Sequence, residues 1–225
     1  MTMQNSTTIT VLGVKISCLS RKNALNAVSD WLLADSRRSY FIVTPNPEML
    51  VLAQSDALFK HILNSADLAI PDGAGLVIAS KLQNLTNNLQ LITNNKNIYV
   101  SSHKSSVISS RVSGIDLMLD LCQMAAKNDH TVGLLGAQPG VAQKTAEVLK
   151  KKYPGLKIKF AVSEISDLKK IDPSASLRVN SSRSLRVDLL FVAYGAPKQE
   201  KLIAKLISNH QLTMTNHQSP INNDQ

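Results

Sequence analysis

The chain has 225 residues, 44% hydrophobic and 18% charged, a globular mix that can bury a sizeable core. Aromatics make up only 4%, so the core must rest on Leu, Ile, Val and Ala, and a base-stacking surface for RNA is disfavoured. The formal net charge of +9 favours anionic partners (nucleic acid, acidic lipid or phosphorylated substrates), or it makes a basic soluble surface and nothing more.

In chain order, "TITVLGVKIS" alternates apolar and polar residues and predicts a hairpin or short edge strands. "SRKNALNAVSDWLLADS" predicts a helix capped by Ser20, with Ala24, Leu25, Val28, Trp31 and Leu32 at helical spacing. "YFIVTPN" reads as a buried strand running into a loop. Pro47 suits the start of the next helix because its missing N–H is not needed there, and a break is expected near Ser55-Asp56. "ADLAIPDG" repeats the pattern of strand and loop, and "AGLVIASKL" reads as helix. Residues 83–110 are dense in Asn and Ser without a period, and are expected to form a mobile inserted loop. Order returns with a helix whose face comprises Ile115, Leu117, Met118, Leu121, Cys122 and Ala125. "HTVGLLGAQPG" predicts a strand and Gly-rich turn. "VAQKTAEVLKKKYPG" predicts a helix with lysines at its carboxyl end and Pro154-Gly155 beyond it. "LKIKFAVS" is a strand, residues 163–186 a polar helix or loop, and "VDLLFVAYGAPKQEKLIAKLI" a buried strand, a turn and a helix.

This alternation predicts an α/β fold, a mostly parallel Rossmann-like sheet with helices on both faces. One domain is expected over 1–205, with a polar, disordered tail over 206–225. Cys18 and Cys122 fit no metal spacing and read as free thiols of a reducing compartment. The five histidines are scattered, and neither a P-loop nor a G-x-S-x-G elbow is present, so no metal and no cofactor is expected. The amino end lacks a signal-peptide core, and no stretch approaches the roughly 20 apolar residues of a spanning helix. A cytoplasmic protein with at most peripheral membrane contact is expected.

Ligands of open α/β sheets bind at the carboxyl ends of the strands, so the loops there carry the candidates. Asp72, before Gly73-Ala74-Gly75, is placed to act as a general base, or else it caps the following helix. Thr44 and Asn46 can bond sugar hydroxyls or a base edge, or serve a local turn. Arg111 offers a fork for a diphosphate, unless it is a solvated surface residue. The turn around Gly136, from Gly133 to Gly140, is placed like a nucleotide-binding turn without the G-x-G-x-x-G pattern. In Gly195–Glu200, Lys198 could meet phosphate and Gln199 offers both donor and acceptor, while a tight turn is the plainer reading.

Taken in order, "TPNPEML", "ADLAIPDGAGLV", "RVSGIDLM", "GLLGAQPGVAQKTAEVLKKKYPGLKI" and "DLLFVAYGAPKQEKLIAK" resemble the WecG/TagA/CpsF family of bacterial glycosyltransferases over roughly residues 10–205. The resemblance implies an inverting, metal-independent transfer of N-acetylmannosamine from a UDP-sugar donor to a polyprenyl-diphosphate-linked N-acetylglucosamine acceptor, in teichoic acid or related surface-polysaccharide synthesis. It implies Asp72 as the base, Thr44 and Asn46 shaping its pocket, Arg111 steadying the diphosphate and Gln199 contacting the donor. A homo-oligomer and weak contact with the inner face of the membrane are left open, and nucleic acid is not expected as a partner. Two departures stand out. The spacing between Asp72 and Arg111 is long for the family, and the ending "SNHQLTMTNHQSPINNDQ" lacks the family's basic, aromatic tail. The alternative is therefore a truncated, non-catalytic relative that binds a nucleotide sugar or an intact partner.

Overall fold

The structure, a computed structural model, describes residues 8–34, 38–73, 75–76, 113–171 and 187–215. The chain packs as two compact units. The first comprises Met1–Ala34 and Tyr40–Leu117, the second Asp35–Ser39 and Met118–Gln225.

The first unit opens with an antiparallel hairpin of β1 (Thr8–Val11) and β2 (Val14–Ser17). Its two-residue turn holds both Leu12 and Gly13 at positive φ, the backbone that matches the twist of a tight hairpin. Val14 and Ile16 point into the core while Lys15 points out. The Asn64 amide clamps the hairpin, accepting from the Lys15 N–H at 2.8 Å and donating to the Gly13 carbonyl at 2.9 Å. Helix α1 (Arg21–Leu33) is capped by the Ser20 hydroxyl, as expected. Strands β3 (Ile42–Val43) and β4 (Leu68–Ala69) pair in parallel. Between them run α2 (Pro47–Ser55) and α3 (Ala57–Asn64), broken at Asp56 as the sequence predicts. Asp56 ends α2, and its carboxylate accepts from the Phe59 N–H at 2.8 Å to start α3. Phe59, Leu63, Leu50, Ile70, Ile16 and Leu76 are among the large buried side chains here. Away from β3, the β4 N–H of Ala69 donates to the hydroxyl of buried Ser17 at 3.1 Å.

In the second unit β5 (Thr131–Gly136) lies between β6 (Lys157–Val162) and β7 (Leu189–Ala193), all parallel. Asp188 ties the starts of β5 and β7, its carboxylate accepting from both the Thr131 N–H at 2.7 Å and the Thr131 hydroxyl at 2.8 Å. Among the described residues four helices accompany this sheet: α4 (Gly114–Lys127), whose first turn falls in the first unit, α5 (Val141–Lys152), α6 (Ile165–Ile171) and α7 (Lys198–Thr215). Side chains alternate across β5. Val132 and Leu134 pack with Cys122 and Ala125 of α4 and with Ala142, Ala146 and Leu149 of α5. Leu135 packs on the other face with Phe160, Val162, Leu168 of α6 and Leu202 of α7. A parallel sheet with helices on both faces is the α/β arrangement expected from the sequence.

Some expectations change. Ile115, assigned to the buried face of α4, is 71% exposed, because that face turns on Leu117, Leu121, Cys122 and Ala125. Helix α7 runs through Thr215, past Lys205, so the backbone over 206–215 is helical where a disordered tail is expected. Residues 83–110 and Arg111 lie outside the described residues, as do 216–225.

Two substitutions or treatments test this packing. Cys122 has no exposed surface, and burial pushes its thiol from 9.0 up to about 11. At pH 8 it should resist iodoacetamide in the folded protein and react once urea unfolds the chain. Because the unfolded thiol ionises first, this group's contribution to stability is complete below pH 9.0 and fades as the pH rises through about 11. Gly136, which ends β5, has φ +109, and a Cβ there would lie 2.7 Å from the Ala193 carbonyl oxygen, a backbone atom that cannot turn aside. Gly136→Ala should cost about 2–4 kcal/mol in urea unfolding. A loss within error of zero would show that the β5–β7 contact is looser than described.

Candidate active site

The pairing of β3 with β4 continues past the strands. Ile70 N–H donates to the Val43 carbonyl at 2.9 Å, and Asp72 N–H to the Pro45 carbonyl at 2.8 Å. This ladder sets the first loop, Thr44-Pro45-Asn46, beside the second, which carries Asp72. Asn46 caps α2, its side-chain oxygen accepting from the Met49 N–H at 2.9 Å. Pro47 then fills the first helical position. Asn46, Pro47, Glu48, Asp72 and Gly73 line an open pocket of about 300 Å3. Asp72 is half-buried in it and Glu48 is exposed.

The amino end of α4 closes on the same place. A Cβ built on Gly114 would sit 3.3 Å from Thr44 Oγ1, 3.6 Å from Thr44 Cγ2 and 3.7 Å from Asp72 Oδ2. A side chain at Gly114 would thus press on the Thr44 hydroxyl by a few tenths of an ångström and lie in ordinary contact with Asp72, so the helix end comes close to both groups. Thr44, Asn46 and Asp72, three expected site residues, are brought together, and Gly114 and Glu48 join them. The sequence reading passed over both, although each lies inside a motif it quotes. Gly114 is the fourth residue of "RVSGIDLM", and Glu48 is the fifth of "TPNPEML". Arg111 precedes Gly114 in the chain but is not among the described residues.

The other two expected residues belong to the second unit. Gly136 and Ala137 both have positive φ, and the Ala137 N–H donates to the Ala193 carbonyl at 2.7 Å. Gly140, in the left-handed region, precedes α5 with no side-chain cap, which leaves first-turn N–H groups to other acceptors. The Gln138 carbonyl accepts from Val141 N–H at 3.0 Å and from the Ser163 hydroxyl at 3.2 Å, fixing the turn. Tyr194 donates its hydroxyl to the Ser163 carbonyl at 2.8 Å. The Gln199 side chain is engaged within its own loop. Its oxygen accepts from the Gly195 N–H at 3.1 Å, and its NH2 donates to the Glu200 carboxyl at 2.8 Å. Glu200 is 2% exposed. Burial pushes its carboxyl above the ordinary range, against the opposing pull of the Gln199 bond.

Among the described residues no three His, Cys, Asp or Glu side chains converge to hold a metal ion. No helix among them is long and apolar enough to cross a membrane.

The sequence pattern described as the glycosyl transferase WecG/TagA/CpsF family matches residues 9–95 and 96–216, the two matches meeting within the Asn/Ser-rich segment. The chain is similar to an N-acetylglucosaminyldiphosphoundecaprenol N-acetyl-beta-D-mannosaminyltransferase of Bacillus spizizenii, 28% identical over 172 residues. That alignment takes in 76% of this chain and 56% of the relative. A protein of the same name from Staphylococcus aureus strain NCTC 8325 is 26% identical over 200 residues, 88% of this chain and 68% of the relative. The chain thus spans between about half and two thirds of the length of these curated relatives. With the pattern matched across nearly all of its length, the chain belongs to the WecG/TagA/CpsF family of glycosyl transferases.

Proposed function

We propose that the chain is an inverting glycosyltransferase that moves N-acetylmannosamine, or a related hexosamine, from a UDP-sugar to a polyprenyl-diphosphate-linked N-acetylglucosamine. The observation that carries this reading is the Asp72 carboxylate, set in an open pocket beside the Thr44 hydroxyl and the amino end of α4. The names of the two relatives support the choice of sugar and acceptor.

In this reading Asp72 accepts the proton of an acceptor hydroxyl as that oxygen bonds to the anomeric carbon of the donor sugar. The bond from that carbon to the UDP oxygen breaks with its electron pair, and attack from the opposite side inverts the configuration. Thr44 and Asn46 orient the acceptor. Asn46 can do so with its NH2 group, since its oxygen serves the helix cap. The departing diphosphate gathers negative charge and calls for N–H groups and cations. The turn at Gly136, the open first turn of α5 and Arg111 are assigned to it. Gln199 is assigned to the donor. The acceptor's polyprenyl chain requires a bilayer, so the work is placed at the cytoplasmic face of the membrane, with weak peripheral contact through basic residues such as Lys150, Lys151 and Lys152.

Asp72→Asn keeps the shape of the carboxylate and cannot take the proton. It should lower transfer to a soluble lipid-diphosphate acceptor analogue by about 10²- to 10⁴-fold, with UDP-sugar affinity within a few-fold. Wild-type turnover in that variant would remove Asp72 from the mechanism. UDP-sugar binding by the unaltered chain without any turnover would make it a nucleotide-sugar-binding relative instead. Gly114→Ala brings a methyl group to 3.3 Å from Thr44 Oγ1 and should lower kcat several-fold, to about ten-fold. Equal rates for Gly114→Ala and the unaltered chain would show that α4 does not shape the pocket.

A further inference from the structure

Gln199 has more bonding capacity than its loop consumes. A glutamine amide offers two N–H donors and two acceptor lone pairs. Here one lone pair receives the Gly195 N–H and one N–H goes to Glu200. The orientation of the amide follows from its neighbours. The Gly195 backbone nitrogen can only donate, so it must face the oxygen, and the NH2 must face the carboxyl.

Glu200 combines a favourable place with a costly one: it lies in the first turn of α7, where a carboxylate suits the helix amino end, yet it is buried. It is almost completely buried, and among the described residues its second oxygen has no hydrogen-bond partner. A buried carboxyl with an unpaired oxygen costs stability, and an apolar side chain of similar length would not. Beyond its place at the helix end, Glu200 supplies the acceptor that holds the Gln199 amide.

We propose that Glu200 is a positioning residue that fixes the side-chain amide of Gln199, so that the one N–H and one lone pair left over meet a nucleoside-diphosphate sugar. The ligand rests on the assignment of Gln199 to the donor, and the fixing of the amide does not. Glutamine at position 200 keeps the acceptor for Gln199 and puts an NH2 where the unpaired oxygen stands. Methionine removes the acceptor and also removes the destabilising carboxyl. The two variants therefore separate positioning from stability.

The experiment uses the full chain in three forms: unaltered, Glu200→Gln and Glu200→Met. Hydrogen exchange of the Gln199 side-chain amide is followed by NMR without ligand, UDP and UDP-N-acetylhexosamine are titrated by calorimetry, and Tm is recorded. In the unaltered chain and Glu200→Gln, the Gln199 NH2 should exchange slowly, and UDP-sugar affinity should agree within about three-fold. In Glu200→Met the amide should exchange like an exposed glutamine and the affinity should fall about ten-fold or more, with Tm unchanged or higher. A Gln199 amide that exchanges freely in the unaltered chain overturns the proposal. So does Glu200→Met with unaltered affinity, or with Tm and affinity falling together, since that pattern marks a purely structural residue. Protection of the amide with no UDP-sugar binding in any form would sink the donor assignment and leave the positioning of Gln199 standing. If Glu200→Met does not fold, amide exchange in the other two forms decides the matter.

Discussion

A single run of backbone hydrogen bonds organises the candidate site. The β3–β4 ladder does not stop at the last strand residue. It continues through Ile70 to Val43 and through Asp72 to Pro45. Parallel strands leave the sheet in the same direction, so their loops emerge together. The extra rungs make those loops a fixed pair. Every other feature of the pocket follows from this constraint. Asn46 must turn the chain into α2, Pro47 occupies the first helical position, and the carboxylate of Asp72 is left beside the hydroxyl of Thr44.

The same residues serve the fold and the proposed chemistry. Asn46 spends its oxygen on a helix cap, and Gln199 spends half of its amide capacity on its own loop and on Glu200. Such double duty fixes a polar side chain before any ligand arrives, which lowers the entropy cost of binding. It also means that a loss of activity on substitution cannot be assigned to lost contact alone. Comparisons of isosteric and truncating variants are needed at these positions, with stability measured alongside.

Local elements were legible wherever the chemistry is local. Leu12-Gly13 announce a tight turn, Ser20 a cap, Pro47 a helix start, and Asp56 a break between two helices. Each works through bonds within a few residues, so spacing alone reveals it. The loop residues Thr44, Asn46 and Asp72 were legible because strand-end loops carry ligands and because ordered motifs joined them. What escaped depends on contacts distant in sequence. Gly114 acquires meaning only when α4 meets Thr44 and Asp72, some forty to seventy residues earlier in the chain. Ile115 fits the helical period but falls on the exposed side. Glu200 looks like an ordinary charged residue in the first turn of a helix, and only packing shows that it is buried.

The Ser17 hydroxyl has a wider consequence. A two-stranded parallel sheet has an outer edge whose N–H groups invite another strand to add. On β4 the Ala69 N–H that points away from β3 is taken by a side chain of the hairpin, not by a further strand. An acceptor supplied by one hydroxyl satisfies that donor without offering a ladder to continue. The hydroxyl thus ties the short parallel pair to the hairpin through a side chain where a sheet would use a ladder.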